Sequence, residues 1–256
     1  MKSLLAFMKK EYLEAVRTGK IIILMLLFVL FGIMNPAIAK LTPWLMEMYA
    51  DTMAESGLIV TSVQVDAMTS WTQFFKNIPM TLIAYVLIFS DIFTKEYRSG
   101  TLLLMLTKGL SRYKVVLAKT VLLLSIWTFG YGLCFAITYG YNAYFWDNGI
   151  ADNLFFSVAI WWLFSAWVIC LIVLFSSLLQ NNAGVSLCTG GTVLLAYLLS
   201  LVPKVKAYSP VMLMDANSIL TGAEGVDTYV KTIIIVAISS AIFIIASIPV
   251  MNKKQL

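Results

Sequence analysis

Long apolar runs separated by short polar segments dominate the pattern of this sequence. Six of these runs can each supply the roughly 20 residues that an α-helix needs to cross a membrane. They predict spans over residues 20–39, 74–93, 119–146, 154–179, 183–203 and 232–251. The fourth and fifth runs form one stretch without charged residues, which we divide at Gln180-Asn181-Asn182 because three consecutive amides are costly in hydrocarbon. The pattern therefore predicts an all-α polytopic membrane protein.

The first nineteen residues have the pattern of an amphipathic helix rather than of a span. Its apolar positions recur at mixed three- and four-residue spacings: Leu4, Leu5, Met8, Tyr12, Ala15 and Val16. Charged side chains occupy much of the remaining surface: Lys2, Lys9, Lys10, Glu14 and Arg17. Such a helix is suited to the headgroup layer of a membrane, and the alternative is a solvated basic leader. Gly19 allows a bend into the first span, and we expect no cleavable signal peptide.

Two polar segments are predicted to contain helices outside the spans. Around the outer loop over residues 40–73, between Lys40 and Lys76, two sets of residues each share one helical face: Leu41, Trp44, Leu45 and Met48, and then Val65, Met68, Thr72 and Phe75. A break at Glu55-Ser56-Gly57 separates them, so we expect an outer helical loop of two amphipathic helices, with an ordinary loop carrying interfacial aromatics as the alternative. Residues 211–214 are a candidate short re-entrant or lateral helix, followed by a turn over residues 221–225.

Composition and charge agree with this class and give it an orientation. The chain has 256 residues, of which 61% are hydrophobic and only 12% are charged, whereas about 25% are charged in soluble domains. The net charge is +5, but no Arg/Lys-rich arm is present, which argues against nucleic-acid binding. With the N-terminus inside, thirteen Lys and Arg residues fall in inner segments and five in outer ones. Both termini are therefore predicted to be cytoplasmic.

Residues that could carry out chemistry are sparse. The chain has no histidine and no GxxxxGK[ST] phosphate loop, so we expect no catalytic, cofactor-binding or metal-binding residues. Cys134, Cys170 and Cys188 lie in apolar runs and are predicted to be buried small hydrophobic residues. The acids lie at the ends of spans or in loops, which disfavours an ion-coupled transporter and suits an amphipathic or apolar cargo. Asp91 is expected to have an interfacial role.

Small and aromatic residues within the spans are predicted to serve packing. The glycines permit close approach of helices: Gly130, Gly132, Gly140, Gly184, Gly190 and Gly191. Trp161, Trp162 and Trp167 of the fourth span are expected to pack or to lie in the lipid belt.

The charged segment over residues 91–114 lies between the second and third spans and contains a short apolar stretch. Thr101 can cap a helix that continues to Thr107, and Gly109 can end it. Ser111 can then cap the helix of the third span. A short apolar helix flanked by charges suits docking in a groove of a partner protein, and a loop floating at the membrane interface is the alternative.

Two motifs, together with the six spans, carry a resemblance to a known family. They are Arg17-Thr18-Gly19-Lys20 and Lys95-Glu96-Tyr97-Arg98-Ser99-Gly100-Thr101-Leu102, the second followed by Ser111-Arg112 and Lys119. The chain thereby resembles the permease subunits of type-2 ATP-binding-cassette (ABC) exporters over essentially its whole length. The resemblance implies an elbow helix over residues 1–19 and a cytoplasmic coupling helix over 101–107, within a coupling loop over 94–118. One departure is Lys108-Gly109-Leu110, where many relatives carry a proline before the Ser-Arg pair.

The resemblance also implies partners. They are two copies of an ATP-binding subunit, which would hold ATP and Mg, a second permease copy or a paralogue, membrane lipid and an amphipathic cargo, with no nucleic acid. The residues implied to contact the ATPase, with Glu96 and Arg98 orienting the helix, are Glu96, Arg98, Ser99, Gly100, Thr101, Leu102, Leu103, Leu104, Met105, Leu106, Lys108 and Arg112.

The implied function is that of a non-catalytic subunit of an exporter in a bacterial cell membrane. A weaker resemblance to Gram-positive exporters of phenol-soluble modulins and to lantibiotic self-immunity systems suggests a peptide or antimicrobial cargo. The alternative is a non-transporting immunity or scaffold protein that binds peptides or lipids. Co-purification of a nucleotide-binding protein would distinguish the two functions.

Overall fold

Helices make up most of residues 2–48, 65–107 and 109–253, the residues that the computed structural model describes. The α-helices in chain order are α1 (Lys2–Arg17), α2 (Lys20–Met48), α3 (Ala67–Phe89), α4 (Thr94–Ser99), α5 (Thr101–Thr107), α6 (Arg112–Phe145), α7 (Leu154–Leu178), α8 (Asn182–Ser200), α9 (Pro203–Lys206), α10 (Ala216–Leu220) and α11 (Val230–Lys253). Three short 3-10 helices cover Asn148–Ile150, Pro210–Met214 and Val226–Tyr229. Within these residues α2, α3, α6, α7, α8 and α11 are long and apolar enough to cross a membrane. The predicted all-α fold with six candidate spans is confirmed.

The ends of the first two spans differ from the sequence prediction. Helix α2 continues without a break through Pro36 and Pro43 to Met48, so the first half of the expected outer helical loop extends the first span. The second half belongs to α3, whose N-cap Asp66 accepts a hydrogen bond of 3.0 Å from the Thr69 amide. These two halves are therefore not separate lateral helices. Prolines do not end such a helix, because side chains and neighbouring helices can satisfy the backbone groups that they free. Glu55-Ser56-Gly57 lies outside the described residues.

The boundaries of the later helices follow local features of the sequence, such as side-chain amides and glycines. Helix α7 ends at Leu178 and α8 begins at Asn182, with the Asn181 side chain accepting from the Ala183 amide, so the three amides do divide the long apolar stretch. Helix α6 begins at Arg112, seven residues before the predicted start of the third span at residue 119. The apolar residues 211–214 fall in a 3-10 helix whose Val211, Met212 and Leu213 are buried, and Gly222 turns the chain with φ +68°.

Helices α2, α3 and α6 pack around an aromatic cluster. Trp127 of α6 meets Phe28 of α2 and Tyr85 of α3 edge-on, with ring centroids 5.4 and 5.3 Å apart. The Phe28 ring lies directly over Gly130, where an added Cβ would come within 2.2 Å of a ring carbon. At Gly132 and Gly140 of the same helix an added Cβ would meet nothing within 4 Å. The packing role expected of these glycines therefore applies to Gly130 and not to the other two.

A chain of buried amides and hydroxyls joins the same three helices, which the apolar pattern of the sequence does not predict. The Asn77 Nδ2 donates to Asn35 Oδ1 at 2.7 Å, and the Asn35 Nδ2 donates to Thr138 Oγ1 at 3.2 Å. Thr138 in turn donates to the Gly32 carbonyl at 3.1 Å. Polar side chains in spans commonly hydrogen-bond across helices in this way, each bond contributing on the order of 1 kcal/mol.

Polar contacts also hold α7, and they confirm the packing role of its tryptophans. The Trp167 indole donates to Ser239 Oγ of α11 at 3.1 Å, Trp161 donates to the Met214 carbonyl, and Trp162 donates to Thr128 Oγ1 of α6. Cys134 and Cys170 are buried as predicted, whereas Cys188 of α8 is exposed. The prediction for Cys188 is wrong because α8 packs few of its side chains against the other helices.

Replacement of Gly130 by alanine should destabilise the chain, since the new Cβ clashes with a fully buried ring. We expect a loss of about 1–3 kcal/mol, the usual range for overpacking. Thermal unfolding of the detergent-solubilised Gly130→Ala chain measures it. The matched control is Gly132→Ala on the same helix, which should not be destabilised because the new Cβ meets nothing within 4 Å. Equal effects of the two substitutions would contradict the packing proposed for Phe28.

Candidate docking and coupling site

One end of the helix bundle brings together the first helix, the charged segment over residues 91–114 and the ends of several spans. Lys10 of α1 pairs with Glu96 of α4 at 2.9 Å, and Thr94 of α4 hydrogen-bonds Asn182 at the start of α8. The Arg112 guanidinium at the start of α6 donates to the Met251 carbonyl near the end of α11. Helices α1, α4 and α5, the turn between α7 and α8, and the last turns of α11 therefore share this end. The structure thus places both ends of the described chain on the same side of the bundle.

Glycines set the bounds of the two short helices at this end. Gly100, with φ +66°, ends α4 and donates its amide to the Tyr97 carbonyl. Gly109, with φ +89°, ends α5: its amide donates to Leu106 O at 3.0 Å and the Leu110 amide donates to Met105 O at 3.3 Å. These two bonds form a Schellman motif, which closes a helix without a proline. The end of α5 at Thr107 and the stop at Gly109 thus agree with the prediction.

The two expected N-caps are met only in part. Ser111 has the extended backbone of an N-cap, but its side chain makes no capping hydrogen bond. Thr101 is the first residue of α5, and its Oγ1 lies 2.8 Å from Ser99 Oγ.

Helix α5 presents an apolar edge to its surroundings. Leu102 is fully buried against the core, and Met105 and Leu106 are partly buried against it. On the other side Leu103 and Leu104 are 45% and 61% exposed. The helix is thereby held to the bundle by one face while two neighbouring leucines remain available for contact.

The other residues predicted to contact an ATPase are distributed unevenly around this edge. Arg98, Ser99 and Gly100 are exposed, and Thr101 and Arg112 are partly buried. Arg98 donates to Asn181 Oδ1 at 3.3 Å. Glu96 is buried inside the bundle, so it does not lie on the surface that α5 presents. Lys108 is outside the described residues.

A cluster of alternating charges joins α1, α4 and α6. The Lys119 ammonium, with 1% of its side chain exposed, donates to Glu11 Oε2 at 2.8 Å and lies 3.1 Å from Glu96 Oε2. Lys10 lies 2.8 Å from Glu11 and 2.9 Å from both Glu14 and Glu96. Lys95 closes the cluster with a 2.6 Å contact to Glu14. Three cations thus face three carboxylates, and the net charge of the cluster is zero.

The charges shift the pKa values of the groups on α1. Burial would raise the pKa of Glu14, but hydrogen bonds from Lys95 and Lys10 outweigh it and lower that pKa to about 2. The pKa of Glu11 is lowered too, because Lys119 and Lys10 outweigh its burial. Burial would lower the pKa of Lys10, but hydrogen bonds and charges of Glu11, Glu96 and Glu14 raise it instead. All three groups are therefore charged at neutral pH.

Helix α1 meets the bundle through both apolar and charged side chains. On its apolar side Phe7 and Ala15 are buried, and Leu4, Met8 and Tyr12 pack partly buried against the core. On the adjacent side Lys10, Glu11 and Glu14 face the cluster, so charged residues of this helix also find partners on α4 and α6. Leu5, Leu13 and Val16 are exposed together with Lys9 and Arg17. Glu11 was not singled out from the sequence. The sequence feature that could have pointed to it is Lys119, because a cation within the apolar third span needs a carboxylate partner.

Asp91 also has a partner at this end. Its carboxylate pairs with Lys20 at the start of α2 and lies in the turn between α3 and α4. The contact agrees with the interfacial role expected of Asp91.

Comparison with known families agrees with the six candidate spans. The family model described as "ABC-2 family transporter protein" matches residues 5–248. The chain belongs to the ABC-2 transporter family. It is a membrane permease component of an ABC transporter, a class of subunit that has no catalytic site of its own and works with an ABC ATP-binding subunit. No match was found among curated proteins.

Loss of the Lys119 charge should destabilise the permease strongly. Lys119→Met would leave Glu11 and Glu96 buried with fewer counter-charges, and breaking a buried pair typically costs about 3–5 kcal/mol. Thermal unfolding in detergent measures the loss. The control is Lys204→Met at an exposed lysine, which should leave the unfolding temperature unchanged. An unfolding temperature for Lys119→Met equal to that of the control would contradict the role assigned to the cluster.

The attachment of α1 should depend on pH in a defined window. Glu14 and Glu11 have lowered pKa values, so their stabilising effect is complete above the unfolded value of 4.5 and is lost as the pH falls from about 5 toward 2. Lys10 has a raised pKa, so its effect is complete below 10.5 and is lost only at higher pH. Hydrogen exchange of the α1 amides should therefore be slow between about pH 5 and 10 after correction for intrinsic rates. Equal protection at pH 3 and pH 7 would contradict this prediction.

Proposed function

We propose that this permease is the membrane subunit of an ATP-driven exporter and that α5 is its coupling helix. The observation that carries the proposal is the exposed edge of Leu103 and Leu104 on a helix whose opposite face is anchored by Leu102. Exposed neighbouring leucines on a positioned helix are suited to fill a groove of a partner protein. The chain itself has no phosphate loop, so ATP has to be bound by another protein. The ATP-binding subunit that the ABC-2 family implies is therefore the partner that we assign to α5.

The charge cluster supports the transmission of movement from α5 into the spans. Helix α5 follows α4 directly through Gly100, and α4 contributes Glu96 to the cluster. Glu96 meets Lys119, which lies within α6 itself, and Lys10, which lies on α1. A displacement of α5 by the ATPase would therefore act on α6 through buried charges and on α3 through the chain.

An apolar groove supports the assignment of an amphipathic cargo. It has a volume of about 370 Å³ and lies between α3 and α8, with Val86 and Val193 on its two walls and Val168 of α7 beside them. Aliphatic side chains, Tyr197 and Met214 line most of it, and Ser186 and Thr189 add hydroxyl groups. Such a lining suits the apolar face of a peptide better than it suits an ion.

The complete transporter is proposed to contain two ATP-binding subunits and a second permease copy or paralogue, and to move its cargo outward across a bacterial cell membrane. The excess of Lys and Arg in the segments at the α5 end favours a cytoplasmic location for α5 and for both termini. ATP and Mg would bind to the partner subunit. A peptide or antimicrobial cargo is the class that the groove and the composition favour.

Replacing Leu104 by aspartate should detach the ATP-binding subunit. A buried apolar anchor contributes on the order of 2 kcal/mol or more to an interface, so the affinity should fall at least about 30-fold. The measurement is the amount of ATP-binding subunit that co-purifies with a tagged permease. Leu104→Met keeps an apolar side chain and is the matched control. Leu103→Asp should act in the same way, whereas an aspartate at Leu106 would also disturb packing, since Leu106 is partly buried against the core.

Two results would contradict the proposal. Undiminished co-purification with both aspartate variants would show that α5 is not the docking helix. Failure of any nucleotide-binding protein to co-purify with the unmodified chain would favour the alternative of a non-transporting immunity or scaffold protein.

A further inference from the structure

Helix α8 packs loosely against the rest of the bundle. Of its nineteen residues only Val185 and Thr189 are buried. Leu187 is 75% exposed, and Leu194, Leu195 and Leu199 are also exposed. A helix with so few buried side chains has little packing to fix its position. Helix α8 also forms one wall of the apolar groove, so a shift of this helix would change the width of the groove.

Hydrogen bonds from α4 hold the start of α8. The hydroxyl of Thr94, a fully buried residue, donates to Asn182 Oδ1. One turn further along α4, Arg98 donates to Asn181 Oδ1 at 3.3 Å. Asn181 also caps α8 by accepting from the Ala183 amide at 3.3 Å. The turn between α7 and α8 is therefore attached to the helix that directly precedes α5.

We propose that Thr94 and Asn182 are positioning residues. They connect α4, and through it the proposed coupling helix α5, to α8 and so to the groove wall. The inference rests on the proposed function, because it takes the docking of an ATP-binding subunit on α5 as the source of movement. Helix α4 then acts on two structures: its Glu96 acts on α1 and α6, and its Thr94 acts on α8. Since α8 has few other buried contacts, its position follows the state of α4. Two arrangements of α4 would give two widths of the groove.

Cys188 provides a reporter on α8. It is exposed, whereas Cys134 and Cys170 are buried, so a bimane label applied in detergent should attach at this position. The labelled permease is reconstituted with its ATP-binding subunit, and bimane fluorescence is compared with and without ATP and vanadate. A Cys188→Ser chain measures background labelling. We expect a nucleotide-dependent change in the unmodified complex that falls by at least half in Thr94→Val and in Asn182→Ala.

A matched substitution separates coupling from folding. Thr94→Ser keeps the hydroxyl and should retain the fluorescence response, whereas Thr94→Val keeps the shape and loses it. Neither Thr94 nor Asn182 lies on the exposed edge of α5, so all variants should co-purify the ATP-binding subunit in the amount seen for the unmodified permease. Asn182→Ala removes the same bond at a partly buried position and keeps the test open if Thr94→Val does not fold.

Three outcomes are decisive. A response lost in Thr94→Val and in Asn182→Ala but kept in Thr94→Ser supports the inference. The inference is overturned if the unmodified complex binds the ATPase but shows no nucleotide response at Cys188. It is also overturned if the variants respond as the unmodified complex does. Both results leave the proposed function intact. Absence of ATPase binding to the unmodified permease would overturn the proposed function and the inference with it.

Discussion

The position of Lys119 constrains the whole α5 end of the bundle. Its ammonium group is enclosed by protein near the start of a long apolar helix, and an unpaired charge there would be strongly unfavourable. Glu11 supplies a counter-charge from α1 and Glu96 supplies one from α4, which places α1 and α4 against α6. Helix α4 in turn positions α5 through the left-handed turn at Gly100. The docking surface proposed on α5 therefore depends on one buried cation about twelve residues further along the chain.

The spans themselves are held by shape and by a few neutral hydrogen bonds. In a membrane, lipid offers a helix as much apolar contact as a neighbouring helix does, so close approach and interhelical hydrogen bonds decide which helices stay together. Phe28 over Gly130 and the Asn77–Asn35–Thr138 chain supply both between α2, α3 and α6. Helix α8 buries only Val185 and Thr189 of its nineteen residues, and it borders the groove with α3. Close packing and interhelical hydrogen bonds are therefore concentrated in α2, α3 and α6 rather than in α8.

Much of this fold could be predicted from the sequence, because apolar runs, amides and glycines act locally. The six candidate spans, the division at Gln180-Asn181-Asn182 and the end of α5 before Gly109 are of this kind. Contacts between distant residues could not be predicted in the same way. The amphipathic pattern of α1 did not reveal that Lys10 and Glu11 find partners inside the protein, since Glu96 and Lys119 are supplied by other helices. The first span was predicted to end at residue 39, whereas α2 continues to Met48 because its prolines are tolerated within a span.

The contacts of α4 differ in kind, and the difference bears on how the proposed exporter would move. Toward α6 it makes a buried ion pair with Lys119, and breaking such a pair costs about 3–5 kcal/mol. Its pair with Lys10 of α1 is weaker, because the Lys10 side chain is partly exposed to solvent. Toward α8 Thr94 makes a neutral hydrogen bond, whose net contribution is about 1 kcal/mol. A force applied at α5 would therefore move α1, α4 and the start of α6 as one unit, and it would reach α8 through the hydrogen bonds of Thr94 and Arg98. That order of strengths makes the α4–α8 contact the weakest connection between the proposed coupling helix and the helix that forms the groove wall.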